Sequence, residues 1–587
     1  MSTQGALVGT RIVLPRGQRG RLSAWRPHFD QRLILSVVAL GLIGYLTIPP
    51  ILTVLYASLQ SDFLGDESRW TLSHYAELFG TAARQSIILN SLIYAGGTMA
   101  FATFNGAALA FLFMRTDVPL QRFLFVFGML PMLVPSLLNA FAYIFLMSPQ
   151  IGLLNHLVGA LTGLRPFNIY SLPGMVFVQG LHMAPIAFAI LVGIFRSMDL
   201  TLEEAAATAG ASDFTIFRRI TLRLAMPGLV SAGLLIFIET TAGFEVPNLI
   251  GVPGGVTVFV SEIYDALKRY PSDMSGAASL STLVMTLSMA AVWLSAHFRR
   301  QGERFATITG KGFRPRPLEL GRGRIPALAF ILFYVSFSVV LPIAVLAWVS
   351  LLPGYEPPSL DALGKVSFDN YVHLAAIPRI LPSLANSLEV TLCAAGIVMA
   401  VTTIAAYLVV KTRWSGRGLV EALAFIPIAV PGTIMGVSVL FWYLTAPLPF
   451  SLYGTLTIMI VGFVTLYLPH GIRFMIPAFV QVGREMEEAA LVSGGSLRHV
   501  MLRVYAPLLG PSIVGGFLFI FVLSFREISA SVFLYAQGTE LFSLTLFDLW
   551  REGLFGPVSA LGMVMMGCFA VIVGLGRHFV IQSDGAR

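Results

Sequence analysis

The chain has 587 residues, 56% of them hydrophobic and only 12% charged, with a formal net charge of +8. Ordinary soluble domains are about 45–50% apolar and about 25% charged, so too few polar groups remain here to cover a water-facing surface, and lipid is the natural solvent. The basic residues gather in particular loops rather than on one folded face, which is an orientation signal and excludes a nucleic-acid footprint.

A spanning helix needs about 20 mostly apolar residues. The tail 1–32 comes first, with Arg11, Arg16, Arg19, Arg21, Arg26 and Arg32 against Asp30 alone, so the positive-inside rule puts it in the cytoplasm. Six spans follow, near 33–58, 86–113, 121–147, 172–195, 229–250 and 275–298. The first is long enough to cross and lacks a small-residue cleavage site, so it is expected to be retained. The loop after it holds Asp62, Asp66, Glu67 and Glu77 against Arg69 and Arg84, and belongs outside. Loop 251–274 is external by the same alternation, although it holds Lys268 and Arg269. The stretch 299–324 carries Arg299, Arg300, Arg304, Lys311, Arg314, Arg316, Arg322 and Arg324 and is a cytoplasmic linker. Six more spans follow near 325–351, 387–410, 419–445, 452–476, 511–535 and 558–580, and 581–587 is a cytoplasmic C-terminal tail. Both Cys393 and Cys568 lie in apolar runs with no ligand spacing and read as small buried hydrophobes.

The two sets of spans repeat one another. "NSL" occurs at 90–92 and 386–388, and "LPMLVP" at 130–135 answers "IPIAVP" at 426–431, both at an offset of 296. "LEEAAATAG" at 202–210 answers "MEEAALVSG" at 486–494 at an offset of 284. The loss of 296 − 284 = 12 residues falls in an external loop, where length change is tolerated. The chain therefore reads as an all-α, polytopic membrane protein of about 12 helices. Two tandem permease domains, 33–298 and 325–580, keep the same orientation and are related by a pseudo-two-fold axis along the membrane normal.

Both glutamate–alanine segments fall in cytoplasmic loops between the fourth and fifth spans of their halves. Alanine favours helix, glutamate suits a first turn where the macrodipole is positive, and the small side chains let another surface approach. Gly210 and Gly494 then allow a sharp exit. An amphipathic connector is the plain alternative, but it gives no reason for two copies with the same glycine and proline spacing.

These segments resemble the EAA loop of ATP-binding-cassette importer permeases: Glu-Ala-Ala, three residues, Gly, nine residues, then Ile-x-Leu-Pro. Glu204, Ala205, Ala206, Gly210, Ile220 and Leu222 match in the first copy, with Arg223 in place of proline. Glu488, Ala489, Ala490, Gly494, Val504 and Pro507 match in the second, with Ala506 in place of leucine. The resemblance implies that Glu203, Glu204, Ala205, Ala206 and Gly210, and Glu487, Glu488, Ala489, Ala490 and Gly494, couple the chain to two ATPase subunits. It further implies a periplasmic binding protein as partner, a bacterial inner-membrane location with both termini inside, and ATP and Mg held by the ATPases. The chain is expected to be no enzyme and to bind no cofactor; "TGKGF" at 309–313 lacks both the upstream glycine and the following hydroxyl of a phosphate loop.

Ionisable residues inside spans are expensive and mark pathways. Glu239, Glu245, Arg526 and Glu527, in the fifth spans, are the candidates for a translocation path, with His182, Glu389, His470 and Arg473 as further intramembrane groups. Arg526 is placed to neutralise Glu527 or Glu245 across the pseudo-axis, and a structural ion pair or hydrogen bond locking the two halves is the competing reading. No residues spell out a metal site. The fused length, "IETTAGFEVPNLIG" at 238–251 and the linker resemble the ferric-iron importer branch, with thiamine, polyamine and phosphonate permeases close in pattern. Two rivals fit less of the chain. An ion-gradient transporter has no use for duplicated docking helices, and a membrane enzyme would need a catalytic cluster.

Overall fold

The computed structural model describes residues 31–198, 201–303 and 318–585. The arginines of the 1–32 tail, the side chains of 299–303, the linker residues 304–317 with "TGKGF", and the side chains of 581–587 lie outside what is described.

The first half runs α1 (Gln31–Ala57), α2 (Ala82–Arg115), a broken third span of α3 (Gln121–Met129) and α4 (Ser136–Met147), α5 (Leu172–Ser197), the short α6 (Thr201–Thr208), α7 (Leu222–Ala242), the returning α8 (Phe259–Lys268) and α9 (Met274–Glu303). The second half repeats the order. Its first span is α10 (Arg324–Val335) continued by α11 (Leu341–Ser350), then α12 (Ile380–Lys411), the broken α13 (Arg417–Phe425) and α14 (Gly432–Thr445), and α15 (Leu456–Gln481). It closes with the short α16 (Glu485–Val492), α17 (Ala506–Phe525), the returning α18 (Phe542–Arg551) and α19 (Phe555–Gly585). Among the described residues ten helices are long and apolar enough to cross a membrane, and the two broken third spans complete two sets of six.

The repeated proline motif explains the broken spans. Pro131 and Pro135, like Pro427 and Pro431, bracket one 3-10 turn, at Leu130–Leu133 and Ile426–Ala429. Proline lacks the N–H that would continue the ladder and its ring crowds the preceding turn. The spans therefore bend by 104° and 110° at these points.

The fifth spans end earlier than the sequence suggests, at Ala242 rather than near 250 and at Phe525 rather than near 535. Gly243 and Pro247 interrupt the first, and the chain turns by 89° into α8. The "NSL" repeats hold these returning segments. Asn90 Nδ2 donates to the Thr257 carbonyl at 3.3 Å, and Asn386 Nδ2 to the Gly538 and Glu540 carbonyls at 3.1 Å each. Ser91 Oγ accepts the Phe259 N–H at 2.8 Å and Ser387 Oγ the Phe542 N–H at 2.7 Å. Each serine thus satisfies an orphan donor at the start of α8 or α18. In the 251–274 loop, Arg269 pairs with Asp273 at 2.6 Å and the Lys268 ammonium lies 4.7 Å from the Tyr535 ring centre, so its basic charge is held locally.

The two halves exchange their first helices. α1 packs on α13 and α14 of the second half, and α11 packs on α4 of the first. Tyr143 Oη donates to the Phe337 carbonyl at 2.5 Å, and Tyr355 Oη reaches the Phe145 and Ile151 carbonyls at 3.0 and 2.5 Å. On α1, Ile43 and Val54 are buried, while Val37, Val38 and Leu52 are exposed. One face thus meets the other half and the opposite face is left for lipid.

Candidate coupling surface and inter-half charge cluster

α6 and α16 are eight-residue helices with acidic first turns. Glu204, Ala205 and Gly210 are exposed, as are Glu488, Ala489 and Gly494, and Ala206 and Ala490 are half-buried. Leu202 and Met486, at equivalent places, are 48% and 49% exposed, adding apolar surface to each face. Gly210 has φ +83° and Gly494 φ +84°, the left-handed region that glycine enters without penalty. Ser212 Oγ then accepts the Thr215 N–H, and Ser496 Oγ the His499 N–H, capping the next helical piece. A π turn follows in both copies, at Phe217–Thr221 and Val500–Tyr505, before α7 and α17. Arg223 and Pro507, where the two tails differ, thus leave the exit geometry the same.

The two glutamates of each pair part ways. Glu203 turns back into the protein, where its carboxylate takes the Arg115 guanidinium and the Thr221 hydroxyl at 2.6 Å. Glu487 is 6% exposed and accepts the Tyr407 and Tyr505 hydroxyls at 2.9 Å each. Thr221 and Tyr505 are equivalent positions, 284 apart, in the π turn. So one glutamate ties each short helix to the second span and to the root of the fifth, and the other faces outward. The sequence alone gave no sign of Arg115, Thr221, Tyr407 or Tyr505; their signal is spatial.

The intramembrane charges meet where the fifth spans break. Glu239 lies on α7, but Glu245, Arg526 and Glu527 sit just beyond the helix ends rather than within the spans. The two breaks face each other: Thr433 Oγ1 donates to the Ala242 carbonyl at 2.6 Å, and the Phe244 N–H reaches Ser529 Oγ at 3.4 Å. Glu527 accepts the Tyr467 hydroxyl at 3.1 Å and the Ala530 N–H at 3.0 Å. Arg526 is within coulombic reach of Glu239, Glu245 and Glu527, yet among the described residues it forms no contact ion pair. Its guanidinium instead donates to the Met132 carbonyl at 2.7 Å. That carbonyl is freed by the proline bend, and a backbone group at membrane depth must find a partner. Arg526 thus neighbours Glu245 and Glu527 electrostatically, while its direct bond is a hydrogen bond between the two halves rather than an ion pair. His182 and His470 lie near Arg526 and Arg473 respectively, whereas Glu389 is exposed on α12 and has no hydrogen bond among the described residues. Among the described residues no three His, Cys, Asp or Glu side chains are placed to hold a metal ion.

Residues 92–301 match the family described as binding-protein-dependent transport system inner membrane component. The chain is 26% identical over 493 residues to the ferric transport system permease protein FbpB of Actinobacillus pleuropneumoniae, covering 83% of this chain and 70% of that one. This chain is an ATP-binding-cassette importer permease. The permease is also 26% identical to the probable ABC transporter permease protein y4fN of Sinorhizobium fredii, over 88% of this chain and 90% of that one. The spermidine/putrescine permease PotC of Haemophilus influenzae is 23% identical but matches only 37% of the permease, against 83% of its own length. Among solved structures, a bacterial ABC transporter chain involved in alginate import aligns with 48% of the permease at 17% identity and a TM-score of 0.39. The permease is a multi-span protein of the bacterial inner membrane, with two tandem halves in one chain.

Proposed function

We propose that this permease moves ferric iron, delivered by a periplasmic binding protein, and that two copies of an ATPase subunit drive it through α6 and α16. The observation that carries the drive is the duplicated lever. Two short helices share a left-handed glycine, a capping serine and a π turn, and each presents an exposed glutamate–alanine face. Nucleotide-dependent closure of the ATPases would favour one arrangement of the two halves by binding these faces more tightly in it. ATP and Mg belong to the ATPases in this reading, the chain binds no cofactor of its own, and both termini are cytoplasmic.

Iron is supported by the ferric permeases, whose match runs through both halves. The cluster at the span breaks gathers three carboxyl groups, Glu239, Glu245 and Glu527, around Arg526 and Arg473, and so offers oxygen donors to a cargo passing between the halves. Polyamine and 2-aminoethylphosphonate permeases match 37% and 42% of the chain, and those cargoes, with thiamine, form the second reading. An ion-gradient mechanism would leave the two levers without a task.

The test is uptake in proteoliposomes holding the permease with its co-purified ATPase and the neighbouring binding protein. Radio-iron should enter only with ATP, and excess putrescine or 2-aminoethylphosphonate should not compete. Competition would transfer the cargo to the second reading, and uptake indifferent to nucleotide would remove the importer mechanism.

A further inference from the structure

The corner between α2 and α3 is joined to two things at once. Arg115, only 7% exposed, holds Glu203 of the first lever through its side chain. Its backbone carbonyl accepts the Leu318 N–H at 2.8 Å, and the Asp117 N–H returns to the Leu318 carbonyl at 3.3 Å. These bonds make a short parallel bridge between Thr116 and Leu318, the last part of the linker before the second half. Asp117 then fastens the next turn: Oδ1 accepts the Leu320 N–H at 3.0 Å, and Oδ2 the Arg324 Nε–H at 3.1 Å. Arg324 is the first residue of α10, which packs on α3, and α11 beyond it packs on α4. The first lever is therefore bonded, through Arg115 and Asp117, to the start of the other half's first span.

For the second lever the matching stretch, just before α1, lies outside the described residues. At the equivalent corner Lys411 donates to the Val482 carbonyl and Arg484 to the Val410 carbonyl at 3.3 Å, ties that stay within the second half. The position equivalent to Asp117 is Arg413 (413 − 117 = 296), which is exposed and of opposite charge.

We propose that the Arg115–Asp117 corner is a junction that makes the first lever and the first span of the second half move as one body, so that this lever drives both halves. The linker end is then a working part of the coupling apparatus. The proposal rests on the assignment of α6 as an ATPase-docking lever. Asp117 and Arg324 are positioning residues in it, acting through Arg115.

The experiment uses the complete complex purified with its ATPase. Cys393 and Cys568, both exposed rather than buried as their apolar runs suggest, are replaced by alanine, and spin labels are placed at Thr208→Cys on α6 and Ile325→Cys on α10, both exposed sites. Their distance distribution is measured without nucleotide and with ATP trapped by vanadate. The expected result is one unchanged distance in the wild-type background and a shifted or broadened one on trapping in Asp117→Asn and in Arg324→Gln. ATP-driven uptake in these variants should fall at least about fivefold at unchanged ATP hydrolysis, and the swap Asp117→Arg with Arg324→Asp, which renews the ion pair but not the bond to the Leu320 N–H, should restore it in part. A wild-type distance that changes on trapping, or an Asp117→Asn distance that does not, overturns the junction. Failure of any ATPase to co-purify would instead remove the lever assignment itself, and the junction with it.

Discussion

Substitutions at Gly210 and Gly494 separate what the turn costs the permease from what the lever does to a partner. Both glycines sit at φ of +83° to +84°, and a Cβ built on either meets no atom within 4 Å. An L side chain in this region costs roughly 1–2 kcal/mol, which is roughly a 5- to 30-fold loss in the population of the correct turn. That strain is nearly independent of side-chain size, because there is open space around both positions. Alanine and tryptophan therefore damage the isolated permease alike, and asparagine, which tolerates the left-handed region, damages it least. Against a docked ATPase the series diverges, since the indole would occupy the space the partner needs. Each variant is to be assayed for membrane insertion, for ATPase recovered on affinity purification and for ATP-driven uptake. Insertion should stay at the wild-type level throughout, alanine should reduce uptake within the stated range, and tryptophan should abolish both ATPase recovery and uptake. Tryptophan no worse than alanine at both positions would refute the docking face.

The inward and outward glutamates should behave oppositely. Glu487→Gln weakens two hydrogen bonds to a charged acceptor and should lower folding stability by about 1.5–3 kcal/mol, read as a fall in the melting midpoint of the solubilised protein. Glu488→Gln, on the exposed face, should leave that midpoint within the range of ordinary surface changes, roughly ±0.5 kcal/mol, while lowering ATPase recovery. Ser91→Ala and Ser387→Ala each orphan the first N–H of a returning helix and should cost about 0.5–2 kcal/mol, seen as faster amide exchange in α8 or α18. The Arg324 guanidinium holds the Asp117 carboxyl down to about 2, below its ordinary 3.8. A depressed acid contributes fully above its unfolded value and is lost only as pH falls through the folded one. The clamp should therefore be pH-insensitive between about pH 5 and 9, and titration of the Thr208–Ile325 label distance within that window would contradict the assignment.

Composition and span length made the helical membrane class legible, and the repeated motifs located most of the skeleton. "LPMLVP" and "IPIAVP" marked the two bends because proline acts locally and leaves its signature at the site of its effect. "NSL" was visible as a repeat, but its task was not, since Asn90 and Ser91 bond to residues some 167 positions away. The ends of the fifth spans were overestimated because residues 243–250 stay apolar while leaving the helix, and hydropathy does not register a change of direction. The charges at Glu245, Arg526 and Glu527 were found as anomalies in grease. Their partners, Met132, Tyr467 and Ala530, were not, because a backbone carbonyl, a phenol and a backbone amide look unremarked in such a sequence. The same holds for the levers: Glu203 and Glu204 are neighbours in sequence with opposite fates, decided by whether Arg115 lies beneath.

The exchanged first helices bear on how the protein is made. When α1 leaves the ribosome, its final neighbours α13 and α14 lie some 360 residues downstream. At about 5–20 residues per second the wait is roughly 20–70 s. In water a helix with Ile43 and Val54 uncovered would be a liability over that time, but acyl chains are as apolar as the missing partner, so it can stand idle in the bilayer at little cost. The bundle is thus closed from both ends of the message, and its earliest piece is among the last to be seated.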